Sequence, residues 1–534
     1  MNLRGLGSGA GRLMVLIDGH PQYMGIMGHP IADGYQSYWV ERVEVLRGPA
    51  SVLYGANAMG GVINIVTRKM REEGIKTNIN VGGGAYGTLQ TEAVNRMHKG
   101  RFTSIVSGSY NRTDGHRANM GFEQYGGYAK LGYQLTETWK VGADVNVTHF
   151  NASQPGTLSV PLTDADQHIT RGMTFVRIEN AYEKTSGTLS FFYNWGRHKI
   201  NDGYNATAGD SPKDYRFNSS DNMMGISWYQ NMYFFKGNKL TVGADWYHFG
   251  GKAWNKFVSG KRQGEESELV NRHQDEIAGY VDLLQDVGSF LTLNAGVRID
   301  HHDHIGTEWI PQAGLAFHLP GTSDLKLTVG RGFRYPFIKD MFMWGTANPD
   351  LKAESLWNYE LGFTQRLFDD RLSYGLNLFY ANGSNMIVTS SVDGRMVNTN
   401  TGKIKNTGIE VQANYAISQR WSSEANYSYL HMKYPVISAP QHKLYAGVVF
   451  SQGRWDLGSG IQYINGLYTS VQANDIGNES TENFMLWNIR GSYRLTKGLQ
   501  LWVRGENLLA QKYEIMKGYP MPKATFMGGL NINF

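Results

Sequence analysis

Apolar and polar residues alternate along most of this chain with a period close to two. Residues 76–81 (KTNINV), 102–110 (FTSIVSGSY), 140–149 (KVGADVNVTH) and 189–195 (LSFFYNW) show the pattern early. Residues 291–299 (LTLNAGVRI), 325–330 (LKLTVG), 372–380 (LSYGLNLFY), 408–415 (GIEVQANY) and 421–429 (WSSEANYSY) continue it. Successive side chains of a strand point to opposite faces, so each segment predicts a half-buried β-strand. Residues 99–100, 136–138 and 369–371 read as tight turns, whereas 202–221, 251–272 and 471–482 read as long polar loops. Short turns on one side and long loops on the other describe a membrane-spanning antiparallel barrel. A β-propeller would also need many short strands, but no repeat at a blade period is present.

The first 68 residues depart from this pattern. Residues 12–18 hold a continuous apolar run (Leu13 to Ile17) that predicts a buried strand, and it delivers a loop at 19–36, GHPQYMGIMGHPIADGYQ. That loop carries His20, Tyr23, Met24, Met27 and His29. Imidazole and thioether ligate soft and borderline metals, and imidazole also ligates haem iron, so His20, Met24 and His29 form a candidate metal set. The alternative is that Met24, Ile26 and Met27 pack beneath the loop while the histidines cap turns. Residues 40–68 (VERVEVLRGPASVLYGANAMGGVINIVTR) then read as strand, turn and strand. Arg47-Gly48-Pro49 breaks the first strand, and Tyr54-Gly55 and Gly60-Gly61 permit close backbone approach. Glu41, Arg42, Glu44 and Arg47 are poor residues for an oily core but suit a unit inside a polar cavity.

Composition changes the picture in three ways. Only 18% of residues are charged while 13% are aromatic, with 65 glycines, which suits a barrel with aromatic girdles and tight hairpins. Cysteine is absent, which excludes disulfides, thiolate metal sites and a cysteine nucleophile. The net charge of +5 comes without a basic run, so nucleic acid is not an expected partner. No run of about 18 apolar residues occurs, so no transmembrane helix is predicted. A mean hydropathy of −0.40 is compatible with a barrel, because only alternate residues face lipid. No G-x-S-x-G elbow or H-E-x-x-H helix is present, and the chain is not read as an enzyme. Asp300, His301, His302, Asp303 and His304 invite a metal reading. On a strand, however, only His302 with His304, or His301 with Asp303, share a face, and Gly306 marks a turn. The cluster is therefore read as a turn.

Residues 40–68 resemble the last part of the plug domain of TonB-dependent outer-membrane receptors, in a form among that family's most specific signatures. The resemblance continues through NLRGLGSG at 2–9, FRYP at 333–336, NPDL at 348–351, ENLLAQKY at 506–513 and TFMGGLNINF at 525–534. The last of these places Phe526, Gly528, Leu530, Ile532 and Phe534 on one face, the type of signal that outer-membrane assembly machinery reads. The resemblance implies an all-β membrane protein, a large antiparallel barrel of about 22 strands with a partial plug in its lumen. It divides the chain into plug (1–68) and barrel with extracellular loops (69–534). It also implies a signal peptide, an energy-coupling TonB box and first plug strands ahead of Met1; none is in this sequence, and the expectation is an N-terminally shortened plug.

The function implied is TonB-dependent import of a scarce nutrient across the bacterial outer membrane. An iron chelate of the siderophore type is the commonest cargo, with haem, cobalamin and copper as alternatives. A binding-only receptor and a porin-like channel are rival classes. No obligatory cofactor is expected beyond a bound iron chelate or haem as cargo. The implied partners are the TonB–ExbB–ExbD complex, a small-molecule ligand and outer-membrane lipids, with the receptor itself a monomer. In the family the loop after the "LIDG" strand faces the substrate, which assigns the 19–36 loop as ligand floor. Met341, Met343 and Trp344 are a possible wall. Haem-specific relatives carry a histidine between the FRxP and NPDL boxes, where this chain has those three residues instead. The alternative is that Met341 and Met343 are lipid-facing or packing residues. Trp39, Trp228, Trp246, Trp309, Tyr335 and Trp344 are candidates for stacking on an aromatic chelate or for membrane girdles.

Overall fold

A computed structural model of the chain describes residues 2–7, 11–35, 39–471 and 479–534. Gln36, which ends the predicted apex loop, and most of the predicted loop at 471–482 lie outside the described residues. Among these residues, 22 antiparallel strands close into one barrel, sealed where the last strand, Thr525–Asn533, pairs with the first, Gly74–Gly84. Closure leaves no unpaired sheet edge to the lipid, where an unsatisfied backbone group has no water to meet. The alternation does what the sequence predicts. Along Thr185–Tyr204, Leu189 and Phe191 are exposed on the outer wall while Ser190, Phe192 and Asn194 are buried inside. The terminal strand turns Phe526, Leu530 and Phe534 outward.

Two predicted loops are shorter than expected. Residues 202–204, 215–221, 251–257 and 266–272 are strand and the connections are 205–214 and 258–265, because Thr185–Tyr204, Tyr215–Met232, Asn238–Phe257 and Glu266–Val287 run 18 to 22 residues each. About ten residues suffice to cross the bilayer, so these strands stand well clear of it and form a tall wall on the long-loop side. Polar residues above the lipid belt carry no apolar alternation, which is why they read as loop.

Inside the barrel lies the plug. Its strands are β1 (Asn2–Leu3), β2 (Leu6–Gly7), β3 (Met14–Ile17), β4 (His20–Pro21), β5 (Val40–Arg47) and β6 (Gly61–Thr67). The main sheet has the order β4-β3-β6-β5, with β3 parallel to β6. β3 is apolar on both faces because both faces meet the wall. Met14 and Leu16 pack with Phe175, Phe192 and Met223, while Val15 and Ile17 pack with Val94, Ile105 and Tyr128. β5 is the opposite case: Glu41, Arg42 and Glu44 are exposed, and so are Val43, Val45 and Leu46 between and after them. A one-turn helix, α1 (Ser51–Tyr54), was not foreseen in the Gly-rich stretch; Gly55 ends it at φ +75°, with Arg298 pressed against its backbone.

Charges hold plug to wall. Arg4, itself buried, reaches Glu360 at 2.6 Å and Glu410 at 2.9 Å, and Arg47 reaches Glu410 at 3.0 Å. Gly48 passes so close to Glu360 that a Cβ there would lie 2.4 Å from its Oε1. Asp18 accepts from the Thr67 N–H at 2.9 Å and pairs with Lys130 of the wall. Burial alone would raise the Asp18 pKa, but Lys130 and Thr67 hold it below the usual carboxylate value. Removing one partner of a buried charge costs on the order of 3 kcal/mol. Glu410→Ala is therefore expected to lower the urea concentration at which protease cuts the plug, while the barrel keeps its resistance to detergent. An unchanged urea midpoint would mean that these pairs do not retain the plug.

Candidate functional site at the plug apex

The loop between β4 and β5 forms the top of the plug. Its central turn is closed by two backbone bonds: Met24 N–H donates to the His29 carbonyl (3.2 Å) and Gly28 N–H to the Met24 carbonyl (2.8 Å). On one flank the turn is tied to the wall. Gly25 N–H donates to Asp221 (2.9 Å), which also receives Arg171 at 2.8 Å. Gly25 sits directly on wall backbone, where a Cβ would lie 2.2 Å from the Asn222 carbonyl oxygen.

On the other flank the turn meets the outer loop that follows Ser323–Arg334. A short helix, α2 (Ile338–Phe342), docks there, and Lys339 N–H donates to the Ile26 carbonyl at 3.2 Å. The Phe337 ring lies in a slot between Gly11 and Gly28. A Cβ would come within 2.0 Å of the ring at Gly11 and 1.9 Å at Gly28, and both glycines have positive φ. No other residue fits that slot on either count. Beside it, the fully buried carboxylate of Glu354 accepts two bonds from plug Arg12 (2.7 and 2.9 Å), one from Arg334 (2.8 Å) and one from Ile387 N–H (2.7 Å). Arg334 lies over the Phe337 ring at 4.4 Å and reaches Asp340 of α2 at 3.4 Å.

The predicted floor and wall thus come together, but as packing. Tyr23 and Met343 are buried in one cluster, with Met27 and Phe342 against it; Met24 and Met341 are also buried. His20 packs on Phe175 and its Nδ1 has no partner among the described residues. Burial, helped by nearby Arg177, pulls its pKa down to about 3, so it is a neutral packing side chain. His29 is half-buried and donates through Nδ1 to the Met27 carbonyl at 3.3 Å; burial and Lys339 lower its pKa. The set His20, Met24 and His29 does not face one open point. Asp300 and His302 are buried on the same inward face of their strand as Arg298, and His302 Nδ1 accepts the N–H groups of His304 and Ile305, which makes this segment a capped turn. Among the described residues no three His, Asp or Glu side chains are placed to hold a metal ion.

Of the predicted aromatics, Trp39 is buried in the plug against Tyr128, and Tyr335 is buried with its hydroxyl on the Asp300 carbonyl. Trp228 and Trp309 are exposed on the outer wall, and Trp246 shares that face. Only Trp344 stands exposed at the mouth. Next to it, Arg272 lies 4.4 Å over the Phe342 ring, and His304 stacks edge-on to Phe342 at 5.2 Å. Neither Arg272 nor Lys339 is in an ion pair among the described residues, so two cations lie among the aromatic rings of this mouth. Arg12, Arg272, Phe337, Lys339 and Glu354 were not singled out in the sequence. The glycines at 25 and 28 were a usable signal, because two in one apolar turn imply close approach on both sides.

The buried His20 has a consequence for pH. The native plug keeps it neutral down to about pH 3, whereas an exposed histidine titrates near 6.5. Its contribution is complete above pH 6.5 and is lost as pH falls toward 3. The urea midpoint of plug release is expected to fall over that window, and His20→Gln is expected to flatten the fall. Equal pH profiles for the two proteins would contradict the assignment.

Comparison with known proteins agrees with this architecture. Residues 155–508 match the model of the TonB dependent receptor-like β-barrel, and residues 1–62 match the TonB-dependent receptor plug domain. The chain is 22% identical over 524 residues to the vitamin B12 transporter BtuB of Photobacterium profundum, covering 93% of this chain and 80% of that protein. Among solved structures, the copper transporter OprC superposes with a TM-score of 0.85 at 15% identity, covering 100% of this chain and 91% of that one. The ferric enterobactin receptor PfeA of Pseudomonas aeruginosa gives 0.81 at 17% identity, covering 100% and 93%. The siderophore receptor PirA of Acinetobacter baumannii gives 0.82 at 16%, covering 100% and 92%. At these identities the structures report likeness of fold. With a plug inside a closed 22-strand barrel and both family models matched, the chain belongs to the TonB-dependent receptors of the bacterial outer membrane.

Proposed function

We propose that this receptor imports an anionic iron chelate of the siderophore class, driven through TonB by the ExbB–ExbD complex. The family is one of receptors and transporters, and its named relatives carry different cargoes, so kinship alone does not choose among them. The mouth supports the choice. Exposed Trp344 and the Arg272–Phe342 stack, with Lys339 in no ion pair among the described residues, place cationic and aromatic groups together, which suits a negatively charged, ring-bearing chelate. The buried state of His20, Met24, Met341 and Met343 weighs against direct ligation of haem iron or copper by these residues. Transport rather than passive flow fits an apex loop bonded to the wall through Gly25 and to the outer loop through Ile26.

The test is a tryptophan-quenching titration of the purified protein with a ferric tricatecholate, a ferric trihydroxamate, haemin, cyanocobalamin and copper(II). The ferric chelates are expected to bind, with affinity about tenfold weaker in Arg272→Ala and in Trp344→Ala, a loss of about 1.4 kcal/mol each. His20→Ala is expected to leave affinity unchanged. Binding of haemin or copper alone, abolished by His29→Ala, would replace this reading with direct metal or haem capture.

A further inference from the structure

Phe337 belongs to the outer loop, yet it is seated inside the plug. Its slot is made by Gly11, in the turn three residues ahead of β3, and by Gly28 in the apex turn. Three contacts hold the ring's own position. Phe337 N–H donates to Asp340 Oδ2 at 3.2 Å, Arg334 covers the ring at 4.4 Å, and the same Arg334 bonds both Asp340 and Glu354. Glu354 in turn holds Arg12, the residue next to Gly11. The chain Asp340–Arg334–Glu354–Arg12 therefore begins on the loop helix and ends beside the slot.

We propose that Phe337 is the positioning residue through which the outer loop controls the plug: its ring wedges the apex turn shut, and the Asp340–Arg334–Glu354–Arg12 chain makes its seating depend on the state of α2. A ligand pulling on Trp344 or Phe342 moves α2, and α2 carries Asp340. Loss of Asp340 from Arg334 removes one of the two carboxylates that fix the guanidinium over the ring, leaving Glu354. Withdrawal of the ring then leaves Gly28 without its neighbour, and the Met24–Gly28–His29 turn loses one wall. Packed interfaces of this kind switch between discrete arrangements rather than stretch. The device works for any cargo that engages the loop, so failure of the ferric-chelate titration would leave it standing.

Hydrogen exchange of the full chain in detergent micelles, without ligand, tests it. The reporters are the Met24 and Gly28 amides, whose bonds close the apex turn, with β3 and β6 amides as controls. Phe337→Ala is expected to speed exchange of the reporters at least tenfold and leave the controls unchanged. Asp340→Asn, at a side chain whose bonds among the described residues are to Arg334 and Phe337 of the loop, is expected to act in the same direction. The double variant is expected to exchange no faster than Phe337→Ala alone, and Phe337→Leu, which refills the slot, to restore most of the protection. Wild-type exchange in Asp340→Asn would overturn the proposal, since a ring that merely packs would not respond to it. Equal acceleration of reporters and controls in Phe337→Ala would overturn it too, as general loosening. Should Phe337→Ala not assemble, Asp340→Asn and Phe337→Leu decide the question by the same criteria.

Discussion

Glu354 is a carboxylate with no access to water, and the organisation of the lumen depends on how its charge is met. Two arginines and a backbone N–H supply four hydrogen bonds to it. One arginine comes from the plug, the other from the end of a barrel strand that runs into the outer loop. A buried charge tolerates no gap in such a shell, because its desolvation is costly unless every bond is made. The requirement fixes three bodies at once: plug, wall and loop. Arg4 and Arg47 with Glu360 and Glu410 repeat the arrangement farther along the same side of the wall, since Glu360 lies on the strand Glu354–Leu367 that Glu354 begins. The plug is thus held by charges at points and by apolar packing along β3 between them.

That division makes mechanical sense for a gated importer. An apolar plug core resists dissolution in the water of the lumen, while ion pairs are specific in direction and can exchange with water once strained. On the coupling proposed above, movement at the mouth reaches the plug through the loop that carries Phe342 and Trp344, with Arg272 on the adjoining wall strand. Retention and the proposed recognition meet in one stretch of chain, residues 334–354, with Arg272 added from the wall strand Glu266–Val287.

Much of the fold was legible in the sequence because it is written at short range. Alternation along each strand reports which side faces lipid, and the residues 40–68 signature reports the plug. β3 was legible as a buried strand since both its faces are apolar. The tall strands above the membrane were not, because outside lipid both faces are polar and the period vanishes. The site was less legible. His20, Met24 and Met343 were singled out by chemistry, but their burial depends on neighbours such as Phe175 that lie more than 150 residues away. Phe337 gave no signal at all: an ordinary phenylalanine acquires its role only from Gly11 and Gly28, more than 300 residues earlier. Arg12 and Glu354 were equally silent, since a charge pair is defined by distance in space.

The central claim is that this chain moves a ferric chelate only when energy opens a plug that is otherwise shut. The measurement that tests it most directly is radioiron accumulation by cells carrying the receptor in their outer membrane, supplied with the ferric chelate, with and without collapse of the proton-motive force. Accumulation that stops when the force is collapsed, with surface binding retained, is the predicted result. Accumulation at the same rate in both states would contradict the account and make the barrel a passive channel.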